Sequence, residues 1–217
     1  MKNKLQQSIL ALMLLSLLFS SASADNNCFI ASKNGQWIAH HGECNKQYPP
    51  YSTFKIAISL MGFDSKILLD ETHPSYDFKV GYDSTLESWR KPHNPKTWFR
   101  DSCVWYSKIV TSTLGNKRFQ EYVHKFNYGN EDISGDKGKK NGLTQSWLGN
   151  SLKISPSEQI NFLEKLAKNK LPVSNYAMQK TKNIMFQEKL RNGWKLYGKT
   201  GNGTRLDING EKISGQQ

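Results

Sequence analysis

Ser52-Thr53-Phe54-Lys55-Ile56-Ala57-Ile58-Ser59-Leu60-Met61-Gly62 is the stretch from which the fold is read. Phe54, Ile56, Ala57, Ile58, Leu60 and Met61 make it apolar nearly all round, and a helix of that kind belongs in the middle of a domain. Ser52 and Lys55, three residues apart, share one face at its start. The helix N-terminus adds free N–H groups and positive partial charge beside them. A serine standing alone there is an ordinary N-cap. Lys55 changes the reading, because a serine hydroxyl is a weak nucleophile until a base adjoins it. A lysine held in apolar surroundings is pushed toward its neutral, proton-accepting form. No Asp or Glu lies within a helical turn on either side to pair with it.

Upstream, residues 1–24 have the build of a secretory leader. Lys2 and Lys4 form the charged start, Ile9 to Phe19 the apolar run, and Ala22-Ser23-Ala24 the cleavage site. The run is too short to span a bilayer comfortably, so residues 25–217 are expected to be an exported domain with no membrane span. Losing the two lysines lowers the formal net charge from +12 to +10. The remaining lysines are scattered, with only a short cluster at Lys137 to Lys140. They read as a solvated surface, and no nucleic-acid partner is expected.

Asn34-Gly35 between Cys28-Phe29-Ile30-Ala31 and Trp37-Ile38-Ala39 predicts a hairpin. Folding about that turn sets Cys28 opposite His41 and near Cys44. A bridge between the two cysteines suits an exported chain, and a reduced pair stays equally open. Cys103 is left over and reads as a buried thiol on the far side of its turn or helix. No Cys/His spacing resembles a zinc site, so no metal is expected.

Downstream, residues 64–95 read as loop with short helical pieces. Helices are expected from Thr97 or Trp98 to Leu114, from Lys117 to Phe126, from the capping box Ser155-Pro156-Ser157-Glu158 to Lys168, and from Asn175 to Phe186. Trp194 to Thr200 reads as a strand, followed by hairpin residues Ile208 to Ile213 around Asn209-Gly210. Strands, then helices, then strands again make an α+β domain, with the terminal strands expected to share one sheet.

Five pieces in a fixed order carry a family resemblance. They are Ser52-Thr53-Phe54-Lys55, Ser102-Cys103-Val104 with Trp105-Tyr106-Ser107, Tyr128-Gly129-Asn130, Trp147-Leu148 ahead of Ser151-Leu152-Lys153-Ile154-Ser155-Pro156, and Lys199-Thr200-Gly201. Ser-x-x-Lys paired with a distant Lys-Thr-Gly marks penicillin-recognising serine acyl-enzymes. With Tyr-Gly-Asn between them, the chain resembles a class D (oxacillinase-type) serine β-lactamase over nearly all of residues 25–217.

The resemblance implies a penicillin-recognising, transpeptidase-like fold that hydrolyses the β-lactam amide through an acyl-Ser52 intermediate. Lys55 would be its base, carboxylated by carbon dioxide or bicarbonate to N6-carboxylysine, with no other cofactor. Trp147 would donate its indole N–H to that carbamate, and Val104 would wall the lysine pocket. Ser102 and Lys199 would move protons toward the lactam nitrogen. Lys199 and Thr200 would hold the substrate carboxylate, and Gly201 would leave it room. Asn202 and Ser52 would supply the oxyanion N–H groups, and Tyr128 would shape the mouth of the site.

The same resemblance implies the periplasm of a Gram-negative bacterium and a role in antibiotic resistance. It further implies two strands, a carboxylate-binding Arg and a closing helix after the Lys-Thr-Gly strand. The sequence up to Gln217 does not contain them, and Arg205 does not stand in that Arg's place. Lys199's strand is therefore expected at a bare sheet edge. The competing readings are a penicillin-binding sensor or transpeptidase domain that is acylated without turnover, and an inactive remnant.

Overall fold

The structure, a computed structural model, describes residues 27–149 and 151–203. The leader and the hairpin read at 208–213 lie outside the described residues. The chain opens on strands β1 (Cys28–Lys33) and β2 (Gln36–Gly42), antiparallel about Asn34 and Gly35. Both turn residues take positive φ, +55° and +87°, as a two-residue hairpin turn that follows strand twist requires. An irregularity at Ala31/Ser32 shifts the register, so Cys28 faces Gly42 rather than His41. Cys28 and Cys44 are bridged, which ties the hairpin to the loop after it. Cys103 is a free, buried thiol.

A short 3₁₀ turn, Tyr51–Phe54, leads into α1 (Lys55–Asp64). All of Lys55 through Phe63 is buried, as an apolar surface on every side demands. Helix α1 is wrapped by α3 (Val104–Leu114), α4 (Asn116–Phe126) and α7 (Asn175–Met185). Phe54 anchors this centre, its ring 5.1 Å from Tyr128, 5.6 Å from Trp147 and 5.9 Å from Phe119. Helices α5 (Gly142–Gln145) and α6 (Pro156–Ala167) complete the helical part. Helix α6 starts with the expected Ser155/Glu158 capping box.

Two expectations are corrected here. The single helix over 97–114 is two, α2 (Pro95–Arg100) and α3, separated at Asp101–Cys103. Asn94 and Thr97 cap each other reciprocally and start α2 early, with Pro95 in its first turn. The break is held by one local and one longer bond: the Cys103 N–H donates to Trp98 O (3.1 Å) within the turn, and the Trp89 indole donates to Asp101 O (2.8 Å). Ser102 sits in the break at φ +56°.

The terminal strands also do not share a sheet among the described residues. The helix read to Phe186 ends at Met185, and β3 (Phe186–Lys189) pairs only with β4 (Lys195–Tyr197). Strand β4 ends at Tyr197, although the Gly198 N–H still donates to Met185 O (3.0 Å) in the same register, and Lys199 lies beyond the strand. Phe186, Leu196 and Tyr197 stay exposed on this ribbon. The α+β class stands: a helical body with small antiparallel sheets.

Gly129 shows why Tyr-Gly-Asn needs its glycine. At φ +58° its would-be Cβ lies 1.9 Å from Lys153 O. Asn130 fixes the same approach, accepting from Lys153 N–H (2.9 Å) and donating to Ser151 O (2.8 Å). Gly129→Ala combines left-handed strain with a backbone clash, so a loss of roughly 2–5 kcal/mol is expected. Urea unfolding measures it, and a wild-type midpoint would contradict this account.

Candidate active site

The 3₁₀ turn brings Ser52 and Lys55 onto one side of the α1 start. Lys55 Nζ donates to Ser52 Oγ at 3.2 Å. Lys55 is fully buried, with no solvent exposure. Burial first, and the nearby Lys199 charge second, lower its pKa from 10.5 to about 7. The amine can therefore accept a proton near neutral pH, as a base for Ser52 must.

Lys199 completes the group from the far end of the chain. Its Nζ donates to Ser102 Oγ across 97 residues of sequence, and to Thr200 O at 3.0 Å. It also lies 5.7 Å from the centre of the Phe99 ring. Burial lowers its pKa from 10.5 to about 8. Ser102 reaches it from a left-handed backbone, which a non-glycine residue adopts rarely and which clusters at functional sites. Four residues from three segments thus meet: Ser52 with Lys55, and Ser102 with Lys199, coupled through the two lysine charges.

Of the other candidates, Thr200, Gly201 and Asn202 are exposed on the same segment. A Cβ on Gly201 would lie 2.8 Å from Thr53 Cγ2 and 3.1 Å from Pro50 O, so the segment runs hard against the Ser52 turn. Val104 is buried at the start of α3. Beside it Cys103 is buried too, and burial raises its thiol to about 12 even though the Lys55 charge pulls the other way. That coupling puts Cys103 within electrostatic reach of the lysine rather than isolated from it.

Trp147 and Tyr128, given by the resemblance as the carbamate's donor and the residue shaping the mouth, lie deeper than the exposed segment at Thr200 to Asn202. Both are fully buried, Tyr128 beneath Phe54 with its hydroxyl donating to Gln159 Oε1 (3.1 Å). A side chain with no exposed surface shapes the site only through its neighbours. Trp147 has a separate feature: its buried Nε1–H has no hydrogen-bond partner among the described residues. Buried donors are nearly always paired, so this one is aimed at something the bare side chains do not supply. Phe99 and Tyr51 were missed from the sequence. Tyr51 had one signal, its place next to Ser52, whereas Phe99 had none.

The family model for the penicillin-binding protein transpeptidase domain matches residues 17–216. β-Lactamase OXA-9 of Klebsiella pneumoniae is 42% identical over 97% of this chain and 80% of its own length. β-Lactamase OXA-1 of Escherichia coli is 41% identical over 88% and 75%. The crystal structure of OXA-427, a class D β-lactamase, superposes with a TM-score of 0.80 at 46% identity, covering 84% of this chain and 75% of that one. The chain belongs to the class D β-lactamases.

For a class D β-lactamase the polar centre follows directly. Its Ser-x-x-Lys pair carries a hydroxyl and a base, and its Lys-Thr-Gly segment carries a cation beside Ser102. The methicillin resistance mecR1 protein of Staphylococcus aureus is 31% identical over 76% of this chain, but only 27% of that protein is covered. Among the described residues of this β-lactamase no helix is long and apolar enough to cross a membrane.

Proposed function

We propose that this β-lactamase opens the β-lactam amide through Ser52 and confers resistance to penicillins and related antibiotics. The observation that carries the reading is the buried Lys55 amine, poised near pH 7, 3.2 Å from Ser52 Oγ. Ser52 Oγ attacks the lactam carbonyl carbon and its proton passes to Lys55 Nζ. The backbone N–H groups of Ser52 and Asn202 receive the oxyanion. As that intermediate collapses, the carbonyl–nitrogen bond breaks, and the departing nitrogen takes a proton from Ser102 Oγ. Ser102 recovers one from Lys199 Nζ. Lys55 and Lys199 then re-equilibrate with solvent, the first losing the proton it took and the second regaining the one it gave. Water attacks the acyl carbonyl and passes a proton to neutral Lys55, the carbonyl–Oγ bond breaks, and Ser52 Oγ takes that proton back.

Lys199 and Thr200 hold the substrate carboxylate, where a cation partly removed from water is worth more than on the surface. The test is intact-mass spectrometry during penicillin turnover. A transient acyl adduct with release of the hydrolysed drug is expected. No adduct and no hydrolysis would overturn the proposal. An adduct that persists without hydrolysis would instead favour the sensor reading.

The pH dependence has a definite sign. Lys55 must be neutral to act as base, so acylation rises with pH through about 7. Lys199 must keep its proton, so acylation falls as pH passes about 8. In bicarbonate-free buffer, stopped-flow acylation is expected to give a narrow bell between these limbs. A flat profile from about pH 6 to 9 would contradict this pairing of base and acid.

The pocket also suits a carbamate on Lys55. A neutral amine is what carbon dioxide adds to, and the unpartnered Trp147 Nε1 is a donor suited to holding the new oxygen. When present, the carbamate supplies an anionic base in the same place. Trp147→Phe removes the donor and is expected to make turnover depend more steeply on added bicarbonate. It should also weaken incorporation of isotopically labelled carbonate at Lys55, read by NMR. Equal incorporation would separate Trp147 from the carbamate.

Export to the periplasm of a Gram-negative bacterium completes the proposal. The Cys28–Cys44 bridge supports it, since such bridges persist in oxidising compartments.

A further inference from the structure

Asn202 lies between two glycines that are both fastened to the nucleophile's own turn. On one side, Gly201 is packed on Pro50 and Thr53. On the other, a Cβ on Gly203 would fall 2.0 to 2.3 Å from Cζ, Cε1 and Cε2 of Tyr51, so this backbone rests directly on the Tyr51 ring. The same hydroxyl end of the ring also faces Gly149, whose Cβ would lie 3.6 Å from Tyr51 Cε1 and Oη. Tyr51 therefore spans from the loop after Trp147 to the segment after Lys-Thr-Gly.

Its backbone is an outlier that serves this reach. Tyr51 takes φ +47°, a conformation that a bulky residue adopts only when its surroundings impose it. The Tyr51 N–H donates to Trp147 O at 3.0 Å, holding the turn in place. The next residue in the chain is Ser52.

We propose that Tyr51 is a positioning residue for the oxyanion hole: its ring carries Gly203 and so sets the Asn202 N–H against the Ser52 N–H. The inference rests on the reading of Ser52 as nucleophile and of Asn202 as oxyanion donor. It adds the element that fixes their relative placement. A donor displaced by about an ångström can cost on the order of a hundredfold in rate.

The experiment compares wild type, Tyr51→Phe, Tyr51→Ala and Gly203→Ala. Two readouts are taken: the acylation rate with a chromogenic cephalosporin, and affinity for a boronic acid, whose Ser52 adduct puts a boron hydroxyl where the oxyanion forms. Both alanine variants should lose roughly 10–100-fold in acylation and in boronate affinity together. The non-covalent binding step, set by Lys199 and Thr200, should stay within about threefold, which a general loss of structure would not allow. Tyr51→Phe keeps the ring and should restore both readouts.

Wild-type acylation in Tyr51→Ala overturns the inference, and so does a Phe variant as impaired as the Ala one. If Tyr51→Ala does not fold, Gly203→Ala decides alone, since it keeps the ring and displaces only the backbone resting on it. A wild-type enzyme that is never acylated would remove the nucleophile reading itself, which is a different outcome from unaffected variants of an enzyme that is.

Discussion

Ser52→Ala is expected to abolish the penicillin adduct and to lower turnover by a factor on the order of 10⁶, as when a catalytic serine is lost from another serine acyl-enzyme. The whole acyl pathway runs through one oxygen. Lys55 and Ser102 can move protons but cannot form the acyl bond in its place. The N–H groups and Lys199 would still bind substrate, so the variant should retain affinity while losing chemistry. Folding should survive, because among the described residues the only side-chain bond of the Ser52 hydroxyl is the one it accepts from Lys55. Intact-mass spectrometry after exposure to a penicillin reads the result directly. An equal adduct on the alanine variant would move the nucleophile elsewhere.

Lys55→Met should push activity and stability in opposite directions. Without the base, acylation is expected to fall by about 10²–10⁴. Yet the wild-type side chain is fully buried, and its pKa drop from 10.5 to about 7 corresponds to a cost on the order of 5 kcal/mol for holding the charged form. The sign follows from proton counts. Between about 7 and 10.5 the unfolded chain binds a proton that the folded chain does not, so wild-type stability rises with pH across that window. Methionine has similar length and no charge, so its gain should be largest at or below pH 7 and vanish above the ordinary lysine range. Urea unfolding at several pH values checks this. A less stable methionine variant at pH 6 would show that Lys55 is better accommodated than its burial implies.

Much of this site is legible in local sequence. Ser52 and Lys55 are three apart on a helix that is apolar on every side, and that pattern alone predicts a buried amine beside a hydroxyl. The hairpin about Asn34-Gly35 and the cap at Ser155/Glu158 are equally local, and both are found where the residues place them. What failed was decided at long range. The break at Ser102 is held in part by the Trp89 indole, which donates to Asp101 O, and no helical period reveals a contact of that kind. Strand β3 was hidden because Phe186–Lys189 continues a helical pattern and becomes a strand only by pairing with β4. Tyr128 has a motif position that suggests a site mouth, whereas packing against Phe54 buries it.

The sequence by itself determined the reacting types and their order: a serine and lysine on one helix start, a second serine far along, and a Lys-Thr-Gly segment near the end. Tertiary structure alone decided their electrostatics and their meeting. Lys55 is lowered because the packed helices exclude water from it, and because Lys199, distant in sequence, comes close enough for its charge to be felt. Spacing along a chain sets which residues share a turn. Desolvation and Coulomb energy depend on distances through space, and those exist only once the chain has folded.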